Sequence, residues 1–120
     1  MKNKFWGLLA VLLLVATLLP ACTFGAVKAP ANIKPIVFVH GYAGSASQFE
    51  SQAMRFTTNG YPAKYITAYE YDTSKGLTPQ FPMDEVNAGL DTFIDGVLKD
   101  TGADKVDLVG HSLGTIVSQA

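Results

Sequence analysis

The sequence predicts an α/β domain built on a mostly parallel sheet with helices on both faces, and three observations predict it. Three short runs rich in β-branched and aromatic residues, at 36–39, 65–71 and 105–109, are separated by two stretches of helical periodicity. The first run, Ile36-Val37-Phe38-Val39, is apolar at every position, so both of its faces need cover, as in a central parallel strand. The first and third runs lead directly into glycine-bearing turns, His40–Gly44 and Gly110–Gly114, at the strand ends where open α/β sheets bind ligands.

In chain order, Lys2 and Lys4 precede an uncharged apolar run from Phe5 to Leu19, closed by Pro20 and the small residues Ala21, Cys22 and Thr23. This is the pattern of an export signal over residues 1–21. Its apolar core is shorter than the roughly 18 residues of a spanning helix, although uncharged residues continue to Val27 and keep a retained anchor open. Leu19-Pro20-Ala21-Cys22 resembles a bacterial lipoprotein signal, with Leu three residues before the Cys and a small residue just before it; Pro20 departs from that pattern. On that reading Cys22 is lipidated and tethers an envelope protein to the membrane, whereas the alternative is a secreted protein with a chance Cys in its signal. Residues 22–35 hold Gly25, Pro30 and Pro35 without periodicity and read as a linker to a folded part over 36–120.

Composition bounds the partners. The 120 residues are 48% hydrophobic and 16% charged, enough apolar material for one core and against disorder. Nine basic residues stand against ten acidic, and cleavage after residue 21 would remove two Lys and leave a net charge of −3. Without clustered Lys and Arg, nucleic acid is not an expected partner. The single Cys excludes an internal disulfide and multi-Cys zinc sites, and no other ligand cluster implies a metal or cofactor.

After the first strand, Ser47-Gln48-Phe49-Glu50 fits a capping box, opening a helix whose inner face carries Phe49, Ala53 and Phe56 and which Asn59-Gly60 ends. The second strand, Tyr65 to Tyr71, is followed by a long loop from Asp72 to Met83, whose Leu77, Phe81 and Met83 either face an apolar substrate or pack. Asp84 then caps a helix with Val86, Leu90, Phe93, Ile94, Val97 and Leu98 at intervals of three and four, stopped by Gly102. The third strand, Lys105 to Val109, runs into Gly110-His111-Ser112-Leu113-Gly114, and Thr115-Ile116-Val117 begins another helix.

Gly110-His111-Ser112-Leu113-Gly114 has the G-x-S-x-G form of a nucleophile elbow. Together with His40-Gly41-Tyr42-Ala43-Gly44 it resembles the amino-terminal half of an α/β-hydrolase, most similar to bacterial lipases and esterases. Side chains two residues either side of Ser112 would collide in so sharp a turn, which accounts for Gly110 and Gly114. The helix that follows points backbone N–H groups at the site and favours an anion there.

The resemblance implies that Ser112 attacks an acyl or lipid ester and forms an acyl-enzyme that water hydrolyses, with no cofactor. It implies an oxyanion hole from the N–H groups of Leu113 and Tyr42, with His40, Gly41 and Gly44 as oxyanion-loop structure. The Tyr42 ring is alternatively an acyl-pocket wall. His111, beside the nucleophile, projects elsewhere, and Asp72, Asp104 and Asp107 read as solvated charges. In this fold the triad acid and His follow the Ser, but the eight residues after Ser112 hold neither. The expectation is therefore a truncated, incomplete fold that is inactive alone, with the third strand's apolar face uncovered. Two alternatives share the elbow: thioesterase, acyltransferase or polyester depolymerase chemistry, and a non-catalytic surface lipoprotein.

Overall fold

The computed structural model describes residues 32–119. The expected export signal, Cys22 and all but the end of the 22–35 segment lie outside the described residues. Three strands, β1 (Ile36–Val39), β2 (Ile66–Tyr69) and β3 (Asp107–Gly110), form a parallel sheet in the order β2-β1-β3. Ile36 stands opposite Ile66 on one side and Asp107 on the other, and Val39 opposite Tyr69 and Gly110. The expected α/β class with a parallel sheet is what forms, and β1 is its fully buried centre.

Three helices complete the described chain: α1 (Glu50–Thr58), α2 (Met83–Thr101) and α3 (Leu113–Val117). Alternation along β1 sends its side chains to opposite layers. Ile36 and Phe38 pack with Phe49, Phe56 and Tyr61, the Phe38 and Phe49 rings stacking at 4.6 Å. Val37 and Val39 pack with Val86, Leu90 and Val97 of α2 and with Leu113 and Val117 of α3. The sheet is thus sandwiched between two helical layers.

Several boundaries move, each for a local reason. The capping box at Ser47 does not form: Ser47 Oγ pairs with Ser45 Oγ at 2.7 Å, and a 3-10 turn over Ala46–Phe49 leads into α1. Asp84 is not the cap of α2, since the helix begins one residue earlier and places Asp84 and Glu85 in its first turn, where acidic groups suit the helix dipole. The second strand is shorter than expected, because Tyr65 closes a 3-10 turn and Glu70 and Tyr71 lie past the β2 ladder. β3 starts at Asp107, where its N–H reaches the Pro35 carbonyl at 2.8 Å and its carboxylate meets Lys34 Nζ at 3.1 Å. Among the described residues nothing lies beyond β3, and Leu108 and Val109 are 36% and 41% exposed.

Candidate functional site

The site is built where β3 ends. Gly110 still pairs with Val39, and the His111 N–H extends the pairing to the Val39 carbonyl at 3.0 Å. The chain then turns abruptly at Ser112, with φ 53° and ψ −120°, and α3 follows at once. A non-glycine residue at positive φ with this ψ lies outside the favoured left-handed well, a strain characteristic of functional turns. Ser112 is exposed, and its carbonyl accepts the Thr115 N–H at 2.9 Å and the Thr115 hydroxyl at 2.6 Å.

The flanking glycines are there for space. A Cβ on Gly110 would stand 2.6 Å from the Gly114 carbonyl oxygen, which is the crowding across the elbow that the sequence predicts. A Cβ on Gly114 would run into the backbone carbonyls of Val39 and His40. Gly114 therefore also lets α3 press against the end of β1. Sequence reasoning did not anticipate that second contact.

The other turn comes off β1 and meets the elbow directly. A Cβ on Gly41 would lie 2.9 Å from both Ser112 Cβ and the His111 carbonyl oxygen, so the two glycine turns touch. Gly44 closes its own turn through an N–H bond to the Gly41 carbonyl at 3.1 Å, and a Cβ there would meet Gln48 Oε1 at 2.5 Å. Tyr42 follows Gly41 and turns its half-exposed ring over Gly76 in the 72–82 loop. Among the described residues, neither the Tyr42 N–H nor the Leu113 N–H has a hydrogen-bond partner. Because α3 spans only Leu113–Val117, any pull on an anion at Ser112 comes from such individual amides rather than from a long helix dipole.

His40 is fully buried and fixed at both ring nitrogens. Nδ1 lies 2.9 Å from the Gly41 carbonyl, which it serves as donor, and Nε2 accepts the Tyr71 N–H at 3.3 Å. Its ring stacks on Tyr71 at 4.3 Å, and the Tyr71 hydroxyl donates to the His40 carbonyl at 2.6 Å. Burial, with Tyr69 and Glu70 adding, pushes the Tyr71 phenol up to about 12. His40 is thereby held inside the core, and the exposed His111 makes no hydrogen bond to Ser112 through its ring.

Asp72 and Asp107 are engaged in local contacts, and Asp104 is solvent-exposed. Asp72 caps the turn at Ser74, whose N–H and hydroxyl it accepts at 2.7 and 2.9 Å, and these bonds lower its pKa. Asp107 pairs with Lys34, and Asp104 is exposed. In the 72–82 loop Phe81 packs against the core, with Met83 beside it, while Leu77 remains exposed. Sequence reading missed Glu70, Tyr71 and Thr73, which touch the His40–Ala46 turn. Their signal was available: polar and phenolic side chains just past a strand's carboxyl end, where the glycine turns also lie.

A cavity of about 300 Å³ opens between Tyr69, Tyr71, Lys75 and Glu85, and one of about 420 Å³ between Arg55, Phe56 and Tyr61. Neither is lined by Ser112 or Tyr42. Compared with known families, residues 33–120 match the family model described as Lipase (class 2).

Proposed function

Since this chain belongs to the class 2 lipase family, an α/β-hydrolase-type family, we propose that Ser112 is the nucleophile with which its lipase chemistry cleaves carboxylic esters. The observation that carries the reading is the backbone of Ser112: an exposed hydroxyl on a strained strand-to-helix turn, pressed against a second turn, with unpartnered amides on both sides. Ser112 Oγ adds to the ester carbonyl carbon as its proton passes to a histidine base. The negative charge that develops on the carbonyl oxygen is received by the N–H groups of Leu113 and Tyr42, each such donor being worth about 3 kcal/mol of barrier. The C–O bond then breaks, the alcohol leaves with the proton, and water repeats the sequence on the acyl-enzyme.

Neither histidine of the sequence suits the role of base, because His40 is buried with both nitrogens engaged and His111 does not bond Ser112. We assign the base and its acidic partner to residues outside these 120, and expect the 120 alone not to turn over. In the full protein carrying them, Ser112→Ala should abolish hydrolysis of p-nitrophenyl butyrate. A variant that keeps wild-type turnover sinks the assignment.

Residues 1–21 are proposed as an export signal and Cys22 as a lipid-attachment site, on the sequence pattern alone. Palmitate incorporation lost in Cys22→Ser supports this. A mature N-terminus at another residue, without lipid, contradicts it.

A further inference from the structure

The turn from His40 to Ala46 does not hold itself. Ala43 sits at φ 55°, a region that residues with a Cβ avoid, and the turn's own backbone bond is the single one from the Gly44 N–H to the Gly41 carbonyl. Beyond the His40 Nδ1 bond to the Gly41 carbonyl and the approach of Gly41 to Ser112, its hydrogen bonds to other segments go to one neighbour, the residues that leave β2. Glu70 Oε2 accepts the Ala46 N–H at 2.7 Å. Tyr71 donates its hydroxyl to the His40 carbonyl at 2.6 Å. Thr73, buried at 9% exposure, accepts the Ala43 N–H through Oγ1 at 3.1 Å. Backbone groups of residues 40, 43 and 46 are therefore all taken by side chains of residues 70–73, and the Tyr42 N–H between them is left without a partner among the described residues.

We propose that Glu70 and Thr73 are positioning residues for ester hydrolysis: they hold the 40–46 turn in its left-handed form so that the Tyr42 N–H stays beside Ser112. The proposal rests on the reading of Ser112 as nucleophile and Tyr42 as oxyanion donor. The Ala43–Thr73 bond is part-buried, whereas the Ala46–Glu70 bond lies at the molecular surface, where the Glu70 side chain is 59% exposed. Water replaces a lost acceptor there, so removing it costs little stability. The turn relaxes instead, because Ala43 returns to negative φ and carries the neighbouring amide with it. The effect falls on the transition state, where the oxyanion exists, and not on substrate binding.

The test is steady-state kinetics on p-nitrophenyl butyrate, with inhibition by an alkyl boronic acid and thermal melting alongside, in the full protein carrying these residues. Thr73→Val and Glu70→Ala should each lower kcat by about 10-fold or more, with KM within about 2-fold. Boronate affinity should fall in the same proportion, with Tm unchanged in Glu70→Ala. Thr73→Ser keeps the acceptor and should return kcat to within about 3-fold of wild type. Wild-type kcat in both Thr73→Val and Glu70→Ala, with Ser112→Ala inactive, overturns the positioning role and leaves the nucleophile in place. A fall in kcat that only tracks a fall in Tm overturns it too. Turnover by Ser112→Ala removes the reading beneath it.

Discussion

Ser112 adopts φ 53° and ψ −120°, a conformation costing about 1–3 kcal/mol that only the surrounding contacts can sustain. Those contacts are close approaches without room for a methyl group. Gly114→Ala would drive Cβ into the Val39 and His40 carbonyls, so it should cost about 2–3 kcal/mol of stability in urea unfolding and remove activity. Tyr71 supports the other turn from inside. Tyr71→Phe strips the buried His40 carbonyl of its 2.6 Å donor and should cost about 1–3 kcal/mol in the same measurement. The phenol also gives the fold a pH dependence. Its pKa rises on folding from 10.0 to about 12, so the folded chain keeps a proton that the unfolded chain releases. Its contribution is fully present below about pH 10 and is lost as pH climbs toward about 12. Urea midpoints across that range should fall for the wild type and flatten for Tyr71→Phe.

The helix ends differ in how well the sequence announced them. Asn59-Gly60 stops α1 as expected, and the structure shows why it works: Gly60 at φ 93° sends its N–H to the Thr57 carbonyl and Tyr61 sends its own to that of Phe56. The Tyr61 ring packs edge-on against Phe56 at 5.2 Å, completing the Schellman arrangement with its apolar contact. Gly60→Ala should therefore cost about 1 kcal/mol, read as a lower urea midpoint without loss of catalytic function. Gly102, at φ 70°, stops α2 in the same left-handed manner and was equally legible. The start of α1 was not legible. The 3-10 turn Ala46–Phe49 that leads into it has its first N–H accepted by Glu70, twenty-four residues away, and no local pattern around Ser47 encodes that partner. The end of β2 was misread for the converse reason: Glu70 and Tyr71 continue the strand's alternation but spend their hydrogen bonds on the His40–Ala46 turn.

Across the whole chain, the sheet and its two helical layers follow from the all-apolar β1 and from the periodicity of α2, both plain in the sequence. The sharp turn at Ser112 was legible because glycine spacing encodes steric room. The clamp at Glu70–Thr73 was not, because it exists only once β2 is laid beside β1. β3 borders the described sheet with Leu108 and Val109 turned to solvent, His40 is buried with both ring nitrogens bonded, and the His111 ring makes no hydrogen bond to Ser112. A polypeptide of residues 32–120 should accordingly show no hydrolysis of p-nitrophenyl butyrate above its own Ser112→Ala variant. Ser112 as an activated nucleophile in the full protein is tested by treating that protein with a fluorophosphonate and locating the adduct by peptide mass spectrometry. One adduct is expected, on Ser112, absent from Ser112→Ala; an enzyme that hydrolyses esters with Ser112 unmodified, or labelled at another serine instead, overturns the assignment.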